Sequence, residues 1–328
     1  MIERIPSTPP PIPPIPENKL RPKWSVMIPA YNCSRYLKQA IESVLLQDQG
    51  AENMQIEVVD DCSTDADVEA IVQEVGRGRV LYFRKEENMG SLRNFETCIN
   101  RAKGHFVHIL HGDDFILDGF YKAQEALFTQ YPHAGASFTS FNHVDEHSNA
   151  IYEQKPAELM DTPGEMKDAL ILLARQQRVQ PPAMVVKRSV YEALGSFYGV
   201  QYGEDWEMWV RIAAHYPILH TPECFACYRV HTNNITTRAL TSTDNIKDIR
   251  KVIDLIQPLL PGDTRRQLKK EALRNFSIYY AWMSHKIYHD YKNPRAATKQ
   301  IHGALGMSVN RTTLLQLIKI YIKRLIRY

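Results

Sequence analysis

Short, largely apolar runs alternate along the first third of the chain with stretches in which apolar positions recur every three or four residues. Ser25-Val26-Met27-Ile28 is such a run, stopped by Pro29, and predicts a buried strand that opens into a loop. Ser34 suits an N-cap, and Leu37, Ala40, Ile41, Val44 and Leu45 share one helical face. Ile56-Glu57-Val58-Val59 predicts a second strand, residues 68–75 a helix, Val80-Leu81-Tyr82-Phe83 a third strand and residues 91–102 a helix. His105 to Leu110 reads as a fourth strand, ending at His111-Gly112-Asp113-Asp114. Strand and helix in alternation with short joins predict right-handed crossovers and a mostly parallel sheet, an α/β fold. Ligands of such sheets bind beyond the carboxyl ends of the strands. The polar clusters after Ile28, Val59 and Leu110 all fall there, which predicts that three segments distant in sequence meet in one crevice.

The pattern changes after residue 134. Residues 134–141 and 183–186 read as strands, residues 163–178 as largely helical, and residues 206–214 as a helix with Gly203-Glu204-Asp205 at its amino end. From about Asp244 the chain reads as helical to its end, broken at Pro258, Pro261 and Pro294. At the other terminus, residues 7–16 (STPPPIPPIP) exclude helix and interior strand and predict an extended, mobile leader.

Composition narrows the function classes. The 328 residues are 44% apolar, enough for a sizeable core, and 40 basic against 37 acidic side chains leave a charge of +3. That balance gives no electrostatic footprint for nucleic acid, and no nucleic-acid motif is present. Five scattered cysteines do not read as a disulfide framework. No apolar run is long enough to span a bilayer, and the start lacks the apolar core of a secretory signal. The expectation is a cytoplasmic protein.

Several clusters offer chemistry, each beside a plainer reading. Asp113 and Asp114 at a strand end suit a hard cation such as Mg²⁺ or Mn²⁺, although Gly-Asp-Asp is also ordinary turn chemistry. Of Asp60 and Asp61, one carboxylate is placed to accept a base N–H and the other to hold the loop; Ser63, Thr64 and Asp65 equally suit a helix start. Pro29, Ala30 and Tyr31 offer backbone groups and a ring for a nucleobase. Gly90 permits a tight turn before Arg93, a candidate diphosphate contact or a plain surface arginine. Asp205, opening a helix beside Trp206, is a candidate general base or a capping residue. Cys224 and Cys227 have metal-ligand spacing but no second pair, so strand packing is the better account. In the last segment, Leu314, Ile318, Tyr321, Ile322 and Leu325 share one helical face and Lys319, Lys323 and Arg327 another, with no acid after Arg311. Such a helix either lies on an anionic membrane surface or packs on its own domain with its basic side solvated.

The order of these clusters carries more than any one of them. Residues 25–32 (SVMIPAYN), Val58 to Asp65, Asn88-Met89-Gly90, Gly112-Asp113-Asp114 and Glu204-Asp205-Trp206 together resemble glycosyltransferase family 2 of the GT-A fold. The resemblance covers roughly Trp24 to Thr236. It implies a nucleoside pocket of Pro29, Ala30, Tyr31 and Asp60, and a donor diphosphate near Arg93 and Gly112. It implies a Mg²⁺ or Mn²⁺ ion at Asp113, from the family's DXD motif, and Asp205 of its ED motif as catalytic base. His231, in Tyr228-Arg229-Val230-His231, lies where relatives often carry a histidine near the diphosphate or metal. Two positions depart from the pattern: His111 replaces the first aspartate of the DXD motif, and Cys62 replaces the usual glycine after the aspartate pair.

The organisation so implied is a disordered leader over residues 1–22, a GT-A domain over 23–238, and a helical extension over 239–328 that ends in the basic amphipathic helix. The implied activity is inverting transfer of a sugar from a nucleotide-diphosphate donor, a UDP-sugar being favoured. The acceptor is a glycan or lipid-linked hydroxyl, reached at the cytoplasmic face of a membrane. The alternatives are a sugar nucleotidyltransferase, whose glycine-rich basic loop after the first strand is missing here, and a degenerate, non-catalytic nucleotide-sugar-binding protein.

Overall fold

The computed structural model describes residues 3–16, 18–153, 161–232 and 234–326. In chain order the elements are β1 (Trp24–Ala30), α1 (Ser34–Leu45), β2 (Met54–Asp60), α2 (Val68–Gly76), β3 (Leu81–Arg84), α3 (Ser91–Arg101), β4 (Phe106–Ile109), β5 (Phe115–Ile116) and α4 (Phe120–Gln130). Then come β6 (Ala136–Val144), β7 (Ala150–Glu153), β8 (Gly164–Glu165), α5 (Ala169–Arg175), β9 (Met184–Lys187), α6 (Arg188–Leu194), α7 (Glu204–Ala213) and β10 (Ile218–Arg229). Helices α8 (Ile235–Ser242), α9 (Asp244–Leu255), α10 (Arg265–His289), α11 (Pro294–Met307) and α12 (Arg311–Leu325) follow. The chain forms two units. The first comprises Met1–Ala169, Val179–Gly199 and His215–Val230; the second comprises Leu170–Arg178, Val200–Ala214 and His231–Tyr328. The chain passes between them repeatedly, so no single cut in the sequence separates them.

The first unit holds one mixed sheet in the order β3-β2-β1-β4-β9-β6-β10-β5, with β7 on β6 and β8 on β10. β3, β2, β1 and β4 are parallel, as the alternation predicts, and β9 then joins β4 to β6 antiparallel to both. Every residue of β1 and β2 is buried, which explains their nearly unbroken apolar runs. β1 runs through Pro29 to Ala30 instead of stopping at the proline. Its pairing with β4 ends at Met27 and Ile109, so the amide that Pro29 lacks has no strand partner to miss, while the Pro29 carbonyl accepts from the Gly112 amide at 3.1 Å. The chain order turns back between β1 and β4, which makes their carboxyl ends the switch point of the sheet.

The proline-rich segment, expected to be a mobile leader, is laid along the first unit. Ile12 is buried to 3% exposure. The Pro10 and Pro6 carbonyls accept from the Ser196 and Gly199 amides at 2.8 and 2.9 Å, and Arg188 donates to the Pro13 carbonyl at 3.0 Å. Gly195, at φ 79°, lets the segment close in: a Cβ there would lie 2.8 Å from the Pro10 oxygen. Extended proline backbone has all its carbonyls unspent, and that is what this surface uses. Burial of Ile12 is worth about 2 kcal/mol. A chain beginning at residue 18 should therefore melt about 4–8 °C below the full chain in a thermal scan.

The second unit is helical. Among the described residues no helix is long and apolar enough to cross a membrane. α12 buries Thr313, Gln316 and Ile320. It leaves Leu314, Leu315, Ile318, Tyr321, Ile322 and Leu325 exposed, so the apolar face predicted from the sequence points away from the helices beneath it. Of the basic residues on that helix, Arg327 lies outside the described residues.

Candidate active site

Parallel register brings Ala30, Asp60 and Arg84 side by side at the ends of β1, β2 and β3. The loops beyond are tied together. The Asn32 amide donates to Ser63 Oγ at 3.0 Å, Asn32 Oδ1 accepts from the Thr64 amide at 2.8 Å, and Asp65 accepts from the Ser34 amide at 3.0 Å. Asn32 and Cys62 both sit in the left-handed region, at φ 50° and 63°. That conformation explains why a glycine is usual at the position of Cys62, whose β-carbon costs about 1 kcal/mol there. Tyr31 projects from the end of β1 with 44% exposure. Gly112 is required by close approach: a Cβ there would meet Cys33 Sγ at 2.7 Å and the Pro29 oxygen at 3.3 Å.

Asp60 and Asp61 are both buried and both spent on the protein. Asp60 accepts from the Ser63 amide and hydroxyl at 2.9 and 2.6 Å, from Tyr82 at 2.9 Å and from Arg84 at 2.5 Å. These bonds fill the acceptor positions of one carboxylate. A base N–H reaches Asp60 only when Arg84, whose side chain is 42% exposed, swings away. Asp61 accepts from Asn88 Nδ2, the Met89 amide and the Gly90 amide at 2.8, 3.0 and 2.8 Å, and pairs with Lys85. It is the loop-holding member of the pair. Arg93 is also engaged: its Nε donates to the Glu3 carbonyl at 2.7 Å and its guanidinium pairs with Glu96 at 2.7 Å. Contact with a diphosphate requires those bonds to be given up.

Beyond β4, His111, Asp113 and Asp114 bring ligand atoms within 4.8 Å of one another. The His111 ring stacks on Phe95 at 5.2 Å, and burial holds its pKa below the usual value against the pull of Asp113, so the ring is neutral near pH 7 with a lone pair to offer. Asp114 is almost wholly buried. Burial first, and the Asp113 charge second, push its carboxyl well above the carboxylate range. Its Oδ1 accepts from the Arg229 amide at 2.8 Å, whereas Oδ2 has no hydrogen-bond partner among the described residues. Two carboxyl groups and a neutral imidazole around an orphaned buried oxygen fit a divalent cation that takes oxygen and nitrogen ligands, as Mn²⁺ does, and that would displace the Asp114 proton on binding. His111, a departure from the motif, is thus a candidate ligand beside Asp113; the His231 carbonyl accepts from Thr237 at 2.9 Å.

Arg229 was passed over in the sequence, although it stands two places before His231. It is 1% exposed. Its Nε donates to the Asp113 carbonyl at 2.8 Å, its other nitrogens reach Asp145, Ser148 and Gln39, and its guanidinium lies 4.6 Å from the Tyr36 ring centroid. It fixes the Asp113-Asp114 turn from behind. A tyrosine-arginine pair ending a strand was the available signal. Cys224 and Cys227 both lie on β10, and the metal-capable group among the described residues includes neither.

In the second unit, Gly203 at φ 87° opens α7, and Glu204 and Asp205 stand in its first turn. Asp205 accepts from the Trp206 amide at 2.7 Å and from Gln177 Nε2 at 2.5 Å. The Trp206 indole donates to the Leu173 carbonyl at 2.7 Å and packs on Phe276 with centroids 4.7 Å apart. Burial raises the Asp205 pKa to about 7, although the Trp206 amide and Gln177 pull it down. Glu204 is pushed up as well, by burial and then by Asp205. An acid held near pH 7 is matched to proton transfer at neutral pH. Gln177 carries no motif and was invisible in the sequence.

The α/β sheet with acidic and aromatic groups at its carboxyl edge, taken with the family match that follows, defines the chain as a glycosyltransferase that uses a nucleotide-sugar donor. Residues 25–195, more than half of the chain, match Glycosyl transferase family 2, and the chain belongs to that family. It is 25% identical over 304 residues to the Campylobacter jejuni GalNAc(5)-diNAcBac-PP-undecaprenol beta-1,3-glucosyltransferase, covering 90% of this chain and 93% of the relative. Residues 1–349 of S. aureus TarS, solved in complex with UDP-GlcNAc, share the fold with a TM-score of 0.64 at 17% identity, over 91% of this chain and 89% of that one. The mannosyltransferase PcManGT of Pyrobaculum calidifontis, solved with GDP-Man and Mn²⁺, gives 0.56 at 17% identity, over 95% and 83%.

Proposed function

We propose that this protein transfers a sugar, with inversion, from a UDP-sugar to a hydroxyl of a glycan or lipid-linked acceptor. The observation that carries the reading is the triad of His111, Asp113 and Asp114 at the switch point of the sheet, beside the loop of Pro29, Ala30 and Tyr31. Tyr31 stacks on the base, the backbone of Pro29 and Ala30 lines the nucleoside, and Asp60 accepts a base N–H once Arg84 has moved aside. Gly112, packed against Cys33 and Pro29, brings the turn of Asp113 and Asp114 against the nucleoside loop, where the diphosphate would lie. His111, Asp113 and Asp114 would hold a divalent cation, which when bound offsets charge on the diphosphate. Asp205 takes the proton of the acceptor hydroxyl. The acceptor oxygen bonds to the anomeric carbon as the bond from that carbon to the diphosphate oxygen breaks, and nucleoside diphosphate leaves with the bonding electrons. The donor in the TarS complex and the PP-undecaprenol-linked glycan in the name of the Campylobacter relative support the choice of donor and acceptor class.

A melting screen over UDP- and GDP-sugars tests this reading, because a ligand that binds only the folded state raises Tm. UDP-sugars are expected to raise it with Mn²⁺ present and much less with chelator. A panel in which no nucleotide sugar shifts the melt at millimolar concentration would remove the proposal.

A further inference from the structure

Charge is unevenly spread along this chain. Residues 231–328 carry eighteen Lys and Arg against six Asp and Glu, while the whole chain carries 40 against 37. Two features of the helices in that stretch point to what the excess serves. The first is a cavity of about 340 Å³ lined by Thr243, Ile246, Lys247, Arg250, Lys299 and Gly303, with no acidic side chain. Arg250 is anchored there by a hydrogen bond to the Gly306 carbonyl, and Lys247 and Lys299 have no ion-pair partner among the described residues. The neighbouring Asp248 is turned to the Tyr202 amide at 3.1 Å. Asp248 offsets part of the Lys247 charge, but three like charges around a lining that holds no acid still make an anion site, since a bound phosphate relieves their repulsion.

The second feature is the outer face of α12. At about 100° per residue, Leu314, Ile318, Ile322 and Leu325 form one row, on the side opposite the buried Thr313, Gln316 and Ile320. Lys319 borders that row, and the helix contains no acid. Both features run along α11. Thr298 and His302 hold α12 through Arg324 at 3.1 Å and Tyr321 at 2.9 Å, and the next residues of the helix, Lys299 and Gly303, open onto the cavity. An exposed apolar row beside a basic site complements a surface that is greasy within and anionic at its edge.

We propose that this helical face docks on an anionic phospholipid surface, the α12 row entering the acyl boundary and the cavity seating a headgroup phosphate. The site would keep the enzyme where a lipid-linked acceptor is found, but its test does not depend on transfer.

Co-sedimentation of the full chain with phosphatidylcholine vesicles, with and without about 30% phosphatidylglycerol, reads it in the absence of donor. Binding is expected only to the anionic vesicles. Lys247→Ala with Lys299→Ala should weaken it about tenfold, and Ile318→Ser with Ile322→Ser should abolish it. All four side chains are exposed, so the variants should melt like the parent. Equal binding to both vesicle types would overturn the proposal. So would a cavity that is stabilised by inorganic phosphate while vesicles are ignored. A wild-type dimer that the Ile318 and Ile322 changes dissolve, again with no vesicle binding, would assign the row to a second copy of the chain instead.

Discussion

Asp205→Asn is expected to lower the rate of transfer about 10²–10⁴-fold, the range a positioned general base supplies, while the donor dissociation constant stays near the wild-type value. The asparagine keeps the size and still accepts from the Trp206 amide, and a turned Gln177 amide can accept from its Nδ2, but it has no basic oxygen. In the wild type the rate should rise with pH and level off above about 7, where Asp205 is ionised. The same substitution should stabilise the protein. The folded-state pKa of Asp205 is raised from 3.8 to about 7, so the folded form binds this proton more tightly than the unfolded chain does. The contribution is fully present below about 3.8 and is lost as pH rises through about 7. At pH 8 the carboxylate is a burden that asparagine does not carry, and Tm should rise by about 2–4 °C for each kcal/mol relieved. Loss of rate without the gain in Tm would point to damage elsewhere; a variant that turns over at the parent rate would remove Asp205 from the base role.

Asp113→Ala carries the second large effect. In the proposed site the triad would bind a cation only as a set: His111 offers one nitrogen, and Asp114 is held by the Arg229 amide on one oxygen and open on the other. Removing Asp113 leaves two ligands and takes away the charge that helps keep Asp114 protonated. Mn²⁺-dependent nucleotide binding should fall by at least the 10–100-fold that loss of an outer-shell partner costs, read by titration calorimetry with UDP and Mn²⁺. The apo protein should melt no lower than the parent, because a like-charge neighbour of buried Asp114 is gone. Unchanged affinity in the presence of Mn²⁺ would contradict the assignment.

Much of the fold and part of the site could be read from local pattern. The parallel half of the sheet announces itself because its inner strands β1 and β2 are buried on both faces and each helix buries one, so β1, β2, α2 and α3 fall within two residues of expectation at each end. β10 could not be foreseen in that way. It is twelve residues long, contains Pro222 and Glu223, and is shaped by pairing with β6 and by register shifts between Thr221 and Ala226. α4 was missed because its buried positions include Gln124 and two aromatic residues in succession. The leader was misjudged because composition reports what a segment cannot form, not which surface accepts its carbonyls. In the candidate site, motif spacing pointed to Tyr31, Asp113 and Asp205. What each carboxylate is bonded to came only from the fold. Arg84 and Tyr82 occupy Asp60, Arg229 braces the Asp113-Asp114 turn, and Gln177 holds Asp205, and none of these stands close in sequence to the group it serves.

In the reaction proposed for this enzyme, the acceptor oxygen displaces the nucleoside diphosphate directly at the anomeric carbon, with Asp205 as base and a cation at His111, Asp113 and Asp114 offsetting charge on the leaving group. Following the anomeric proton by NMR, with a UDP-sugar, Mn²⁺ and acceptor, reads that displacement. The α-linked donor should give a β-linked product at the rate UDP appears, and with Asp205→Asn both signals should grow about 10²–10⁴-fold more slowly. A product that keeps the α configuration, or one formed at the same rate by the Asp205 variant, would contradict it.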